Sequence, residues 1–252
     1  MRHEVIVLVA VSCLSVFANT QTAEELVNKN IQAKGGLEKM KAIHSVRTTG
    51  KLNAGGGFIA TVSQENMRPN LVRQNVSLQG MTAIQAYDGS AAWQIQPFGG
   101  HKDPEMMGED DLRDLLLAAD FDGPLVDYKE KGNTVEYLGH DVVDGDDALR
   151  LKVTLKNGDI LYYYLDPDSS LEIRRESQQF IRGSIREHVF DMGSYKPVNG
   201  VMYPYSLSDG PKSNPAAQTT TIEKIEVNLT IPSSDFALPA SLKQAPKPEE
   251  KK

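Results

Sequence analysis

From residue 45 onward the apolar residues recur at every second position, where before they recur at every third or fourth. That change of period restricts the fold more than any other feature of the chain. Strand-like runs occupy 45–52, 58–65, 70–78, 81–87 and 91–96. They are joined by Gly55-Gly56-Gly57, Gly80 and Asp88-Gly89-Ser90, residues that turn a chain within a few positions. Links this short leave no room for a crossover helix, so consecutive runs pair antiparallel. Arg68-Pro69-Asn70 opens the third run, with proline tolerated where a strand begins.

A second series follows at 134–140, 148–156, 159–166, 171–180, 184–192, 201–208 and 219–229. Asn157-Gly158 and Asn199-Gly200 are hairpin signals within it. Leu149, Leu151, Val153 and Leu155 alternate with Arg150, Lys152, Thr154 and Lys156, the pattern of a half-buried strand. Residues 160–165 are apolar on both faces, so their outer side needs a cover as well. About 11–12 strands pairing in sequence curl into an incomplete antiparallel barrel, which limits exposed edges.

Two helical segments precede the strands. Thr22-Ala23-Glu24-Glu25 fits a capping box, Leu26, Val27 and Ile31 follow at helical spacing, and Gly35-Gly36 ends the helix. A shorter segment spans 37–43. A helical insert is expected around 103–128, between the two strand series. Asp103-Pro104-Glu105 reads as its start, and Leu112, Leu115, Leu116 and Ala119 form its apolar face. The fold class is therefore mainly β with a helical lid: a single half-barrel domain over 19–240, its open side covered by α-helices.

Residues 1–18 read as a signal peptide, with Arg2 before an apolar run and Val16-Phe17-Ala18 as the cleavage site. Export to the periplasm follows. The single cysteine, Cys13, lies inside this segment, so neither a disulfide framework nor thiol chemistry is available. Cleavage before Cys13, giving a lipid anchor, is the alternative. The tail 241–252 is rich in Pro, Glu and Lys and is expected to be disordered. With 27 basic and 34 acidic residues the net charge is −7, which argues against nucleic acid as a partner.

No catalytic motif emerges. His44, His101, His140 and His188 lack metal-ligand spacing, and there is no nucleophile elbow, phosphate loop or dinucleotide fingerprint. A non-enzyme with no metal and no cofactor is expected. A lipid hydrolase would need a nucleophile paired with His140 or His188. Arg68 stands out, because a guanidinium where a strand begins has five donors with which to reach the carbonyls of a covering helix.

Arg68-Pro69-Asn70-Leu71, then Asp88-Gly89, Trp93 and Pro97-Phe98, occur in the order seen in the LolA-like family of periplasmic outer-membrane lipoprotein-sorting carriers, which this sequence resembles. Asp235-Phe236-Ala237-Leu238-Pro239 fits more loosely. The resemblance implies a LolA/LolB-like incomplete barrel, closed by helices over a hydrophobic cavity that takes acyl chains. It also implies that Arg68 bonds to the lid and holds the empty cavity shut. The residue matching Val72 is aromatic in the carrier. On this reading the cavity wall draws on Leu71, Val72, Trp93, Leu112, Leu115, Leu116, Tyr162 and Tyr164. The expected partners are a lipid or the acyl chain of a lipoprotein and an envelope membrane protein, met by a monomer. An interaction module with a filled core is the rival.

Overall fold

Thr22 opens the first helix, α1 (Ala23–Ala33), through the expected capping box. Its hydroxyl accepts from the Glu25 amide at 3.2 Å, and the Glu25 carboxylate accepts from the Thr22 amide at 2.8 Å. The structure, a computed structural model, describes residues 21–243. The signal segment, Cys13 and residues 244–252 of the tail lie outside the described residues. Gly35 follows α1 at φ +119°, and a Cβ there would stand 2.2 Å from the Gly200 carbonyl oxygen. Only glycine lets this turn press against the Asn199-Gly200 turn. A short α2 (Leu37–Lys41) comes next.

The first strand series is β1 (Ser45–Asn53), β2 (Ile59–Met67), β3 (Leu71–Leu78), β4 (Met81–Tyr87), β5 (Ala92–Gln96) and β6 (His101–Met106). Helix α3 (Glu109–Ala119) separates it from β7 (Thr134–Val143), β8 (Asp146–Thr154), β9 (Ile160–Leu165), β10 (Glu172–Ile181) and β11 (Ser184–Gly193). The chain closes with β12 (Lys196–Val198), β13 (Val201–Tyr203), β14 (Ser206–Pro211), β15 (Gln218–Val227) and α4 (Ala240–Lys243). Thirteen strands form one antiparallel sheet in the order β6-β5-β4-β3-β2-β1-β15-β14-β11-β10-β9-β8-β7, and β12 pairs with β13 apart from it. The sheet is open, so the mainly β incomplete barrel expected from the periodicity is the observed architecture.

Several expected boundaries require correction. Residues 103–105 begin no helix; they lie in β6, the edge strand, where Glu105 pairs with Gln94 and Met106 with Trp93. A residue before proline is biased toward extended backbone, and an edge strand tolerates Pro104. The acid-rich first turn belongs instead to Glu109, Asp110 and Asp111, after Gly108. The helical part of the insert is therefore 109–119. The run 201–208 splits into β13 and β14, and α4 stands where the tail was expected to begin. Both sheet edges are protected: β6 carries His101, Lys102, Asp103 and Pro104, and β7 is bulged at Gly139, with φ +97°.

The main core lies at the β7 end of the concave face. Leu149, Leu151, Val153, Leu161, Tyr163 and Leu165 pack against Leu26 and Val27 of α1 and against Leu125. Each fully buried leucine among them contributes roughly 1.5–3 kcal/mol. The outer face of β9 is also covered, as its double-sided apolar character requires. Arg150 stacks over Tyr162 at 4.3 Å and Tyr164 at 5.4 Å, beside Val143 and Ala148.

Candidate functional site

A cavity of about 720 Å³ lies between the middle of the concave face and the chain from Leu117 to Leu125. That volume is within the range of small-molecule and lipid pockets, about 300–1,000 Å³. Strand alternation and register decide what lines it. One wall is apolar, with Val46, Leu52, Val62, Val76, Ile222 and Ile225. Beside it runs a polar row. Gln64 pairs with Gln74, Gln74 with Gln85, Gln85 with Gln94 and Gln94 with Glu105, so five polar side chains cross β2 to β6 at one level. Gln74 donates to the Gln64 oxygen at 2.8 Å, and Gln64 donates to Asn66 at 2.8 Å. Asn66 in turn donates to the Ala118 carbonyl of α3 at 2.7 Å. The opposite wall is the row Tyr163, Arg175, Phe190 and Asp209 on β9, β10, β11 and β14.

The roof is held from both halves of the sheet. Leu112, Leu115 and Ala119 of α3 pack on Val72, Ala92 and Met107, while Arg113 pairs with Asp159 at 2.8 Å and Gln179 donates to Asp114 at 2.9 Å. The turn after α3 is tied down by Arg68. Its Nη1 and Nη2 meet the two oxygens of Asp122 at 2.8 and 2.6 Å; Nη2 also donates to the Met40 carbonyl and Nε to that of Ile43. The guanidinium stacks on Phe121, 4.3 Å from the ring centre, and Lys41 adds a second cation to Asp122 at 2.6 Å. One arginine thus joins the β2–β3 turn, the end of α2 and the roof.

Burial by itself raises the Asp122 carboxyl, but the hydrogen bonds and charges of Arg68 and Lys41 together outweigh it and hold its pKa below the ordinary aspartate value. A carboxyl depressed in the folded state contributes stability above its unfolded pKa, about 3.9, and loses that contribution as pH falls through the folded value. The melting-temperature gap between the parent and Asp122→Asn is therefore expected to be constant from pH 5 to 8 and to shrink below pH 4. A gap independent of pH down to pH 2 would contradict this account of Asp122.

None of the eight side chains proposed from sequence for the cavity wall lines it. Strand alternation explains four of them. Leu71, Trp93, Tyr162 and Tyr164 sit at odd register to the cavity-facing residues and point to the convex side, and Tyr163 takes the place expected of its two neighbours. Val72 faces inward but is fully covered by α3. Leu112 and Leu115 are spent on that packing, and Leu116 is 40% exposed. Leu117 and Ala118 face the cavity instead. The wall is also far more polar than the hydrocarbon lining that was expected. His140 and His188 lie on β7 and β11 with three strands between them, paired with Asp147 and Asp209. Among the described residues no cluster of three or more metal-ligating side chains occurs.

Part of the quoted motifs, Asn70, Asp88-Gly89, Trp93 and the segment 235–238, meets at one joint. The Trp93 indole donates to the Phe236 carbonyl at 3.1 Å, and Arg73 stacks on the same indole and donates to the Asp235 carbonyl at 2.7 Å. Asp88 accepts from the Leu238 amide, and Gly89 approaches the Asn70 side chain. Solved structures share this architecture. The chain aligns with a LolA superfamily protein from Nitrosomonas europaea at TM-score 0.55 and 10% identity, over 86% of this chain and 98% of that one. The fold is LolA-like. A DUF1329 family protein from Desulfovibrio piger aligns at TM-score 0.55 and 10% identity, over 85% and 97% of the two chains. A domain named for outer membrane lipoprotein sorting, from Vibrio parahaemolyticus, aligns at 0.50 and 12%, over 83% and 97%. No family model matches the sequence, and no curated protein does. At these identities the likeness concerns the LolA-like fold alone.

Proposed function

We propose that this LolA-like chain is an exported, non-catalytic carrier that holds an amphipathic guest, a lipid or the acyl chain of a lipoprotein, under the α3 roof. The observation that carries the proposal is the 720 Å³ cavity between a curved sheet and a roof whose turn after α3 is tied down by one arginine cluster. The apolar wall suits a hydrocarbon chain, whose burial yields about 0.8 kcal/mol per methylene. Gln64, Gln74 and Gln85, the part of the polar row that lines the cavity, would be a costly lining for a purely hydrocarbon guest, because buried amides need partners. They suit a guest with ester, amide or hydroxyl groups along its length. An interaction module with a filled core is less well supported, because the interior volume is open.

Detergent-free purification followed by native mass spectrometry is expected to show a co-purifying lipid of one or a few masses. A fluorescent fatty acid is expected to displace it. Protein that carries no guest and binds no probe would end the carrier reading.

A further inference from the structure

One cation of the cavity wall has no carboxylate partner among the described residues. Glu172 is paired with Lys34 at 3.0 Å, Asp120 with Lys131, Asp122 with Arg68 and Lys41, and Asp209 with His188 at 3.3 Å. Arg175 belongs to the same wall, and among the described residues it forms no ion pair. Its register places it between two aromatic rings, Tyr163 on β9 and Phe190 on β11. The guanidinium lies 5.1 Å from the centre of the Phe190 ring. One contact of the guanidinium goes to the Tyr163 hydroxyl; an arginine held by stacking still has further in-plane donors, and those match the paired oxygens of a carboxylate or phosphate. Burial pushes the Tyr163 phenol up, against the pull of Arg175, so its hydroxyl keeps its proton.

Resting on the carrier reading above, we propose that Arg175 anchors an anionic headgroup, so that the guest is an acidic amphiphile whose hydrocarbon lies along the Val62 and Ile225 side of the cavity. An unpaired cation facing a partly enclosed space is costly to desolvate, and an anionic guest relieves that cost. The polar row on β2 to β6 has no cation to offer such a group, because its only ionised member, Glu105, is an acid.

Delipidated full-length protein tested against palmitate, hexadecyl phosphate, hexadecanol and hexadecylamine separates the possibilities. Palmitate or hexadecyl phosphate is expected to bind about tenfold or more tighter than hexadecanol, the size of a charge-assisted hydrogen bond. Whichever of the two anions is tighter names the source of the headgroup. In Arg175→Met that preference is expected to vanish while hexadecanol binding changes less than threefold, and Arg175→Lys is expected to restore part of it. Equal binding of acid and alcohol by the parent protein would overturn the role of Arg175 and leave the carrier reading standing. Tighter binding of the amine, or a preference unchanged in Arg175→Met, would do the same. Binding of none of the four probes would overturn both.

Discussion

Replacing Arg68 by leucine is expected to lower the melting temperature by roughly 5–10 °C and to speed entry of a fluorescent fatty acid several-fold. The stability change follows from what is left behind. Asp122, with a side chain only 7% exposed, keeps Lys41 but loses a two-pronged partner, and the Met40 and Ile43 carbonyls lose a donor. Breaking a buried pair by removing one partner costs about 3–5 kcal/mol. Arg68 itself is 23% exposed and Lys41 remains, so solvent screening reduces the cost to about 2–3 kcal/mol, and for a chain of this size each kcal/mol moves the midpoint by about 2–4 °C. The kinetic change follows from where the bonds run, since Arg68 is the main polar tie between the sheet and the turn that roofs the cavity. Arg68→Lys is expected to behave almost like the leucine variant, because a single ammonium cannot span both Asp122 oxygens and two carbonyls. A destabilised variant whose binding kinetics match the parent would make Arg68 a structural brace and nothing more.

The architecture was legible because it depends on period and on turn length, which are local. Alternation with glycine turns implied an open antiparallel sheet, and the capping box at Thr22 implied α1. Both are observed. β6 was hidden because its pairing with β5 is a tertiary fact, while its Asp-Pro-Glu sequence imitates a helix start. The cavity wall was misread for a different reason. Size and apolarity drew attention to Trp93, Tyr162 and Tyr164, but a shift of one residue along a strand reverses the face, and their neighbours hold the inward positions. The polar row could have been found. A two-residue turn at Gln79-Gly80 sets Leu78 opposite Met81, and counting outward sets Gln74 opposite Gln85. Arg175 could not have been found this way, because its isolation from carboxylates depends on four ion pairs drawn from distant strands and helices.

Phe236→Ala is expected to produce the larger loss of stability with no change in guest kinetics, and this contrast with Arg68→Leu separates scaffold from lid. Phe236 is fully buried, in the segment that crosses the convex side of the sheet. Truncating a buried phenylalanine to alanine costs about 3–5 kcal/mol, through lost transfer energy and the cavity left behind. The midpoint is then expected to fall by roughly 8–15 °C. The Phe236 carbonyl accepts from Trp93, which faces away from the cavity, and Phe236 is not among the residues that line the cavity. Guest entry, exit and headgroup preference should therefore match the parent at temperatures where the variant remains folded. The Asp-Phe-Ala-Leu-Pro segment, Trp93 and Asp88 would then share a purely structural origin. A C-terminal strap would clamp β3 to β5, while ligand choice resides in residues elsewhere. Accelerated exchange in Phe236→Ala would instead couple the strap to the roof through β3, since Val72 on that strand packs directly against α3.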